Sequence, residues 1–583
     1  MIGKLRGLLR ALIAVAGPIA SCAHAQQAAP ALQPIISDYA RVLPVVARNG
    51  MVVSQEIQAS RIGIDVLKRG GNAVDAAVAV GFALAVTLPR AGNLGGGGFM
   101  IVHTAKTNQT VAIDYRETAP ALATKDMFLD AKGDADAAKS TATGLAIGVP
   151  GTVAGLALAE ENFGSHKFTL GELLAPAIAL AREGIEVDDD LAYSLPKAAL
   201  RFARFPSSAR IFLKADGAPL SRGDKLLQAD LANTLQAIAD KGPVAFYEGP
   251  VAEKIAAAVM ASGGRMQVDD LRGYRAIERV PVRGIYRGYE IVSMPPPSSG
   301  GVHLVQILNL LEGFPISALG PNSAESIHLM AESMKLAYAD RSEYLGDPQF
   351  VSVPVRGLTS KAYADNLRRS ISAARARPAA EIKPGQPAPY ESDQTTHFSV
   401  VDKDGNAVSN TYTVNFSYGL GLVAEGTGVL LNNELDDFAA KPGVPNAYGL
   451  IGGDANAPGP GKRPLSSMSP TIVFKDGRPV LVTGTPGGSR IITTVLQIIL
   501  NVVDHHMNIA EATEAVRVHH QWLPDELRVE RGLSLDTARL LEAKGHKVSV
   551  QPAMGSTQSI HLSDGLLQGA ADTRQRGTGA VGY

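Results

Sequence analysis

The apolar positions of this chain repeat with two periods, and the exchange between them predicts its elements. Over residues 54–67 apolar side chains recur at helical spacing, and Gly70-Gly71 ends the run as a left-handed cap would. Asn72 caps a second helix, residues 73–86, which is apolar nearly all round and therefore belongs between layers. Period two takes over at residues 99–103 and 110–115, two strands paired around Lys106-Thr107-Asn108. The middle third, residues 144–374, returns to helix, most clearly over 170–182, 230–239, 250–261 and 323–340. Two hairpins follow. Residues 398–401 and 407–413 flank Asp404-Gly405, which supplies positive φ for a tight turn, and residues 471–474 and 479–483 flank Asp476-Gly477. A helix over 490–503 comes after the second hairpin.

Between these elements lie the stretches that bear on chemistry. In an antiparallel pair, residues equally distant from the turn face each other, so a turn centred near Asp404 returns Thr413 to the neighbourhood of Thr395. Threonines also populate strands simply because β-branched side chains fit a pleated surface. The Pro- and Ala-rich loop 374–394 before the hairpin is the one convincing linker. Gly487 and Gly488 stand where a strand ends and a helix begins, which leaves their amides free to hold a negative oxygen, unless they only permit a sharp turn. The 92–98 glycine run is followed by a strand instead of a helix, so it fails the dinucleotide pattern and reads as a site of close backbone approach. Pro295-Pro-Pro-Ser-Ser-Gly-Gly301 reads as a structural loop before a helix that begins near Val302, although it could line a site.

Composition narrows the classes. With 583 residues and a net charge of −1, the chain can bury a large core but has no global field for nucleic acid or an anionic membrane. Lys4, Arg6 and Arg10 precede an apolar run over 11–20 and Ala23-His24-Ala25, the order of a secretory signal cleaved after Ala25 and too short to span a bilayer. The mature protein is then periplasmic or secreted. Ile19-Ala20-Ser21-Cys22 also resembles a lipoprotein box, which would anchor the protein through Cys22. No metal is expected, because His505-His506 and His519-His520 are adjacent pairs whose side chains point apart. No cofactor motif is present either: near Gly461-Lys462 the places of a phosphate loop's first glycine and hydroxyl are held by Asn456 and Arg463. A Ser-His-Asp hydrolase lacks its Gly-x-Ser-x-Gly elbow.

Four stretches stand out together: Thr395-Thr-His-Phe398, Leu430-Leu-Asn-Asn-Glu-Leu-Asp-Asp-Phe438, Arg463-Pro-Leu-Ser-Ser-Met-Ser-Pro470 and Thr483-Gly-Thr-Pro-Gly-Gly-Ser-Arg490. On these motifs the chain, from about residue 40 to the end, closely resembles the bacterial γ-glutamyltransferases. The resemblance implies an α+β fold, a four-layer αββα sandwich of the N-terminal-nucleophile hydrolase type built from two subunits of one precursor. Residues 1–25 would be the signal, 26–394 the large subunit and 395–583 the small one, released by self-cleavage between Gln394 and Thr395. By the same resemblance Thr395 is nucleophile and, through its new amine, base; Thr413 orients its hydroxyl; Gly487 and Gly488 hold the oxyanion. Arg116, Ser466 and Ser467 match carboxylate binders, Asn415, Glu434 and Asp437 match ammonium binders, and Tyr448 matches the closing residue of a lid over 442–453. The implied reaction passes the γ-glutamyl group of glutathione or another γ-glutamyl amide to water, an amino acid or a peptide. A cephalosporin (glutaryl) acylase or a poly-γ-glutamate depolymerase uses the same nucleophile; outside the enzymes, an exported solute-binding protein also fits a long signal-bearing α/β chain.

Overall fold

The computed structural model describes residues 40–387 and 399–583. Asn72 caps the Ala73–Thr87 helix in a capping box with Asp75, and every residue of that helix is buried, as its all-round apolar pattern requires. Leu170–Glu183, Ala229–Lys241, Gly249–Ala261 and Ala324–Tyr344 are among the helices of the middle third. Ends shift by a few residues, and at one start a strand replaces the expected helix. The helix expected over 54–67 is Ile57–Lys68, capped by the Glu56 carboxylate, and the residues before it form a strand, Gly50–Ser54. That strand is buried at every position, so it shows no alternation that could separate it from a buried helix start.

Two seven-stranded antiparallel sheets carry the fold. The first runs Gly579–Gly582, Gly50–Ser54, Ser399–Asp402, Ala407–Thr413, Gly97–Thr104, Gln109–Tyr115, Ile277–Arg279. The second runs Val45–Ala47, Leu566–Ala571, Gln558–Ser563, Arg478–Thr483, Thr471–Lys475, Tyr289–Ser293, Val282–Tyr286. Strand periodicity divides the first sheet's side chains between two cores. Val52, Met100, Val102, Val400 and Val408 pack with the Ala73–Thr87 helix. Met51, Val53, Phe99, Ile101 and Val401 join Ile472, Val473 and Val482 of the second sheet, together with residues of the Gly300–Glu312 and Ile491–Val503 helices.

The hairpin about Asp404-Gly405 has the expected register, Ser399↔Ser409, Val400↔Val408 and Val401↔Ala407, with Gly405 at φ 87. On its other side Thr413 pairs with Gly97. Close approach explains the glycines there: a Cβ on Gly96 would run into the Thr413 carbonyl, and one on Gly95 into that of Leu430. The signal, Cys22, the Gln394–Thr395 junction and the meeting of Thr395 with Thr413 fall outside the described residues. The 374–394 loop, over its described part, is no free linker. Lys335 donates to the Arg377 carbonyl, Trp522 Nε1 to that of Ala379 at 3.0 Å, and the Gly385 amide to Asp340 at 2.7 Å. Composition marks a loop without revealing what holds it. Among the described residues no helix is long and apolar enough to cross a membrane.

Candidate active site

A cavity of about 640 Å³ is lined by Thr413, Asn415, Glu434, Asp437, Tyr448, Ser466, Ser467, Gly487 and Gly488. These are all the described residues singled out from sequence except Arg116, which lies behind the wall.

Thr413 ends its strand with Oγ1 accepting the Asn415 amide at 2.8 Å and its carbonyl accepting Asn93 Nδ2 at 3.0 Å. Asn415 then adopts φ 73, which asparagine tolerates, and commits its Nδ2 to the Asn433 carbonyl at 2.9 Å. Its remaining side-chain atom, Oδ1, is an acceptor of the kind an ammonium needs.

Glu434–Asp437 is a short 3₁₀ turn, and it meets Arg116 from the end of the Gln109–Tyr115 strand. Arg116 Nη1 donates to Glu434 Oε1, Nη2 to Asp437 Oδ2 at 2.6 Å, and Nε to the Pro464 carbonyl at 3.2 Å. These are no solvated surface pairs, since Arg116 is 0% and Glu434 1% exposed. A third carboxyl, Glu117, lies 3.8 Å from Arg116 Nη1, and neither of its oxygens has a hydrogen-bond donor. Burial pushes the Glu117 carboxyl well above the carboxylate range, with Glu434 repelling its charge as well. Burial also lifts Asp437, and lifts Glu434 to about 7 against the pull of Arg116. Burial works against the Arg116 charge, yet Glu434, Asp437 and Glu117 outweigh it and hold the guanidinium firmly charged.

Ser466 and Ser467 are set by two buttresses. Ser466 gives its amide to the Pro297 carbonyl and takes the Ser299 amide on its own carbonyl, both at 2.8 Å. The 295–301 run is therefore structural, as expected, but its work is to seat a serine of the cavity wall. Arg341, buried, donates from Nη2 to Ser467 Oγ at 3.1 Å and from Nε to Ser299 Oγ at 2.8 Å.

Gly487 and Gly488 follow the Arg478–Thr483 strand and precede the Ile491–Val503 helix with φ of 142 and 57. Among the described residues no acceptor takes either amide, and both glycines line the cavity in a backbone conformation that favours glycine. Tyr448 tips a loop tightened by the Pro445↔Ile451 bridge, and its hydroxyl donates to the Asn415 carbonyl at 3.1 Å. Its ring presses on Gly488 so closely that any Cβ there would collide.

Sequence reasoning missed Glu117 and Arg341 behind the wall, and Arg490 and Arg528 on it. Glu117 stands next to Arg116 in the sequence; single charges on helices and strands send no comparable signal. His519 and His520 diverge as expected, the first to Thr493 and the second toward Asp525. A different set converges: His328, Glu332 and His546 bring ligand atoms within 4.8 Å of one another. They are already engaged, His328 Nδ1 with His546 Nε2 at 2.8 Å and Glu332 with the Lys335 ammonium at 2.5 Å. An ammonium inside the cluster supplies the positive charge that a metal ion would bring.

A family pattern described as Gamma-glutamyltranspeptidase matches residues 59–582. The chain is 55% identical over 574 residues to a glutathione hydrolase proenzyme of Escherichia coli K12, covering 98% of each. Among solved structures, a cephalosporin acylase from Bacillus halodurans superposes with a TM-score of 0.82 at 28% identity, over 95% of this chain and 99% of that one. A gamma-glutamyltranspeptidase from Helicobacter pylori gives 0.56 at 45% identity, over 61% of this chain and 99% of that one.

Proposed function

The chain belongs to the gamma-glutamyltranspeptidase family, and on that premise we propose that it is a self-processing glutathione hydrolase and γ-glutamyltransferase. The observation that carries this reading is one cavity lined by serine hydroxyls and by two carboxylates backed by the Arg116 guanidinium, beside two unclaimed glycine amides. An α-amino acid head needs both charges, and an acyl transfer needs the amides.

In this reading the precursor cleaves between Gln394 and Thr395 into a large subunit, 26–394, and a small one, 395–583, which stay together as a heterodimer. The helices and paired sheets form the four-layer αββα sandwich of the N-terminal-nucleophile hydrolases, and the leader sends the protein to the periplasm or outside the cell. The amine of Thr395 takes the proton from its own hydroxyl, whose oxygen attacks the γ-carbonyl carbon. Negative charge that develops on the carbonyl oxygen is held by the Gly487 and Gly488 amides, each worth about 3 kcal/mol of barrier in comparable sites. The departing amine takes the proton, and water or an amino group then attacks the acyl-enzyme. Ser466, Ser467 and Arg116 hold the α-carboxylate; Asn415, Glu434 and Asp437 hold the α-ammonium; Tyr448 covers both.

A cephalosporin acylase is the second reading, favoured by the Bacillus halodurans superposition. Glu434 and Asp437 weigh against it, because a glutaryl group has no ammonium to meet them. Thr395→Ala tests the proposal: it should leave one uncleaved, inactive chain, whereas wild type yields two bands on a denaturing gel, the smaller beginning Thr-Thr-His by N-terminal sequencing. A cleaved and active alanine variant would falsify the mechanism.

A further inference from the structure

The charges of the head-group pocket are already one another's partners. A guanidinium presents five N–H donors in one plane, and Arg116 aims Nη1 at Glu434, Nη2 at Asp437 and Nε at the Pro464 carbonyl. Glu434 and Asp437 line the cavity and Arg116 does not, so the two carboxylates stand between the guanidinium and any ligand. An arriving carboxylate that forks onto Arg116 must take a place that one of them holds. Glu434 is also prepared for another donor: its Oε2, in a side chain 2% exposed, has no hydrogen-bond partner.

Charge balance says what kind of ligand can make that exchange. Arg116 and Arg341 are the fully buried cations beside the pocket, Glu434 and Asp437 its anions, and Glu117, behind Arg116, has no hydrogen-bond donor to stabilise a charge; Arg490 and Arg528, half-buried, stand on the same cavity wall. Among the fully buried groups the charges nearly balance. A ligand with one charge upsets it, because a buried ion left without a partner is far costlier than a pair that was never broken. A ligand with both charges preserves it.

Resting on the γ-glutamyl reading above, we propose that the donor's α-carboxylate and α-ammonium bind by exchange. The carboxylate takes Arg116 from Glu434 and Asp437, and the ammonium takes the two carboxylates so released. The two charges of the donor are then a coupled pair, and the pocket selects zwitterions as a class. A donor with the carboxylate alone leaves Glu434 and Asp437 facing each other unpaired. A donor with the ammonium alone draws them from Arg116 and strands the guanidinium. A donor with neither leaves the internal pairs intact and forfeits only its own contacts.

Four p-nitroanilides measured on matured wild-type enzyme test this: γ-glutamyl, glutaryl without the ammonium, 4-aminobutyryl without the carboxylate, and butyryl without either. Independent contacts require the butyryl loss in kcat/KM to equal the product of the two single losses. Exchange predicts a butyryl loss at least tenfold smaller than that product and close to the larger single loss. A butyryl loss that reaches or exceeds the product overturns the exchange and leaves the γ-glutamyl reading standing. If the γ-glutamyl donor is no better than butyryl, the γ-glutamyl reading itself fails. Glu434→Gln keeps the shape and an acceptor but gives up the charge. With the variant folded and self-cleaved at the assay temperature, the coupling should shrink at least threefold, and an unchanged coupling removes Glu434 from the exchange.

Discussion

Two clusters of buried charge can be set side by side in this molecule, one around Arg116 and one around Lys335. Both guanidinium and ammonium are essentially unexposed, and each touches a buried glutamate. Around Lys335 the polar atoms are mostly taken up within the protein: the ammonium by Glu332 and the Arg377 carbonyl, both His328 nitrogens by His546 and Ser372, and Glu332 Oε2 by the Arg377 amide at 3.2 Å, while Glu332 Oε1 has only its ion pair with the ammonium and does not line the cavity. Around Arg116, Glu434 Oε2 and both oxygens of Glu117 have no donor, and Glu434 and Asp437 open onto the cavity. Burial and charge are therefore common to both. Spare hydrogen-bonding capacity directed at a cavity separates a place that binds from a place that holds.

The largest expected effect follows from breaking the binding cluster. Arg116→Lys removes the planar fork, and two charge-assisted bonds at about 2 kcal/mol each translate into a fall in kcat/KM of order 10²–10³ on γ-glutamyl-p-nitroanilide. Unchanged kinetics would take Arg116 out of the site. Thr413→Val comes next. It keeps the β-branched shape at a stability cost of about 1 kcal/mol, but a mispositioned nucleophile costs about a hundredfold in kcat and slows self-cleavage. A variant that matures and turns over like wild type shows that the hydroxyl is not used.

The holding cluster should fail differently. Lys335→Met strands Glu332 in the interior and should cost about 3 kcal/mol of stability, seen as a lower melting temperature, with kcat/KM of the folded enzyme within about twofold of wild type. A catalytic defect without a stability defect would reverse the assignment of the two clusters.

The smallest effect is an opposition of slopes with pH. Glu434, lifted by burial to about 7 from an ordinary 4.5, contributes stability that is present below pH 4.5 and lost as pH rises through 7. His546, lowered by burial to about 3 from 6.5, contributes stability present above pH 6.5 and lost as pH falls through 3. Between pH 4.5 and 6.5 the melting-temperature gap between wild type and Glu434→Gln should narrow as pH rises, while the gap to His546→Phe should widen. Slopes of the same sign would erase the distinction.

What the sequence made legible was local. The Asn72 cap and the Asp404-Gly405 turn act within a few residues, so their chemistry is written beside the elements they shape. The Gly50–Ser54 strand was hidden because burial on both faces removes the alternation that would betray it. The Arg116–Glu434 pair joins residues 318 apart in sequence, and no periodicity reports such a meeting; only the family resemblance suggested that both belong to one site. Arg341 and the 295–301 buttress act through Ser466 and Ser467 without lining the cavity, so Arg341 carried no signal and the 295–301 run could be marked as a loop but not tied to those serines.

The order of strands has a consequence for a chain cut between Gln394 and Thr395. In the first sheet Gly50–Ser54 lies between Gly579–Gly582 and Ser399–Asp402, and Ala407–Thr413 lies against Gly97–Thr104. In the second, Val45–Ala47 borders Leu566–Ala571, and Thr471–Lys475 borders Tyr289–Ser293. The two fragments would be woven through both sheets, with no face along which one could slide off the other. Parting them means unzipping strands, so dissociation and denaturation become a single event, and the mature pair should melt in one transition whose midpoint rises with protein concentration.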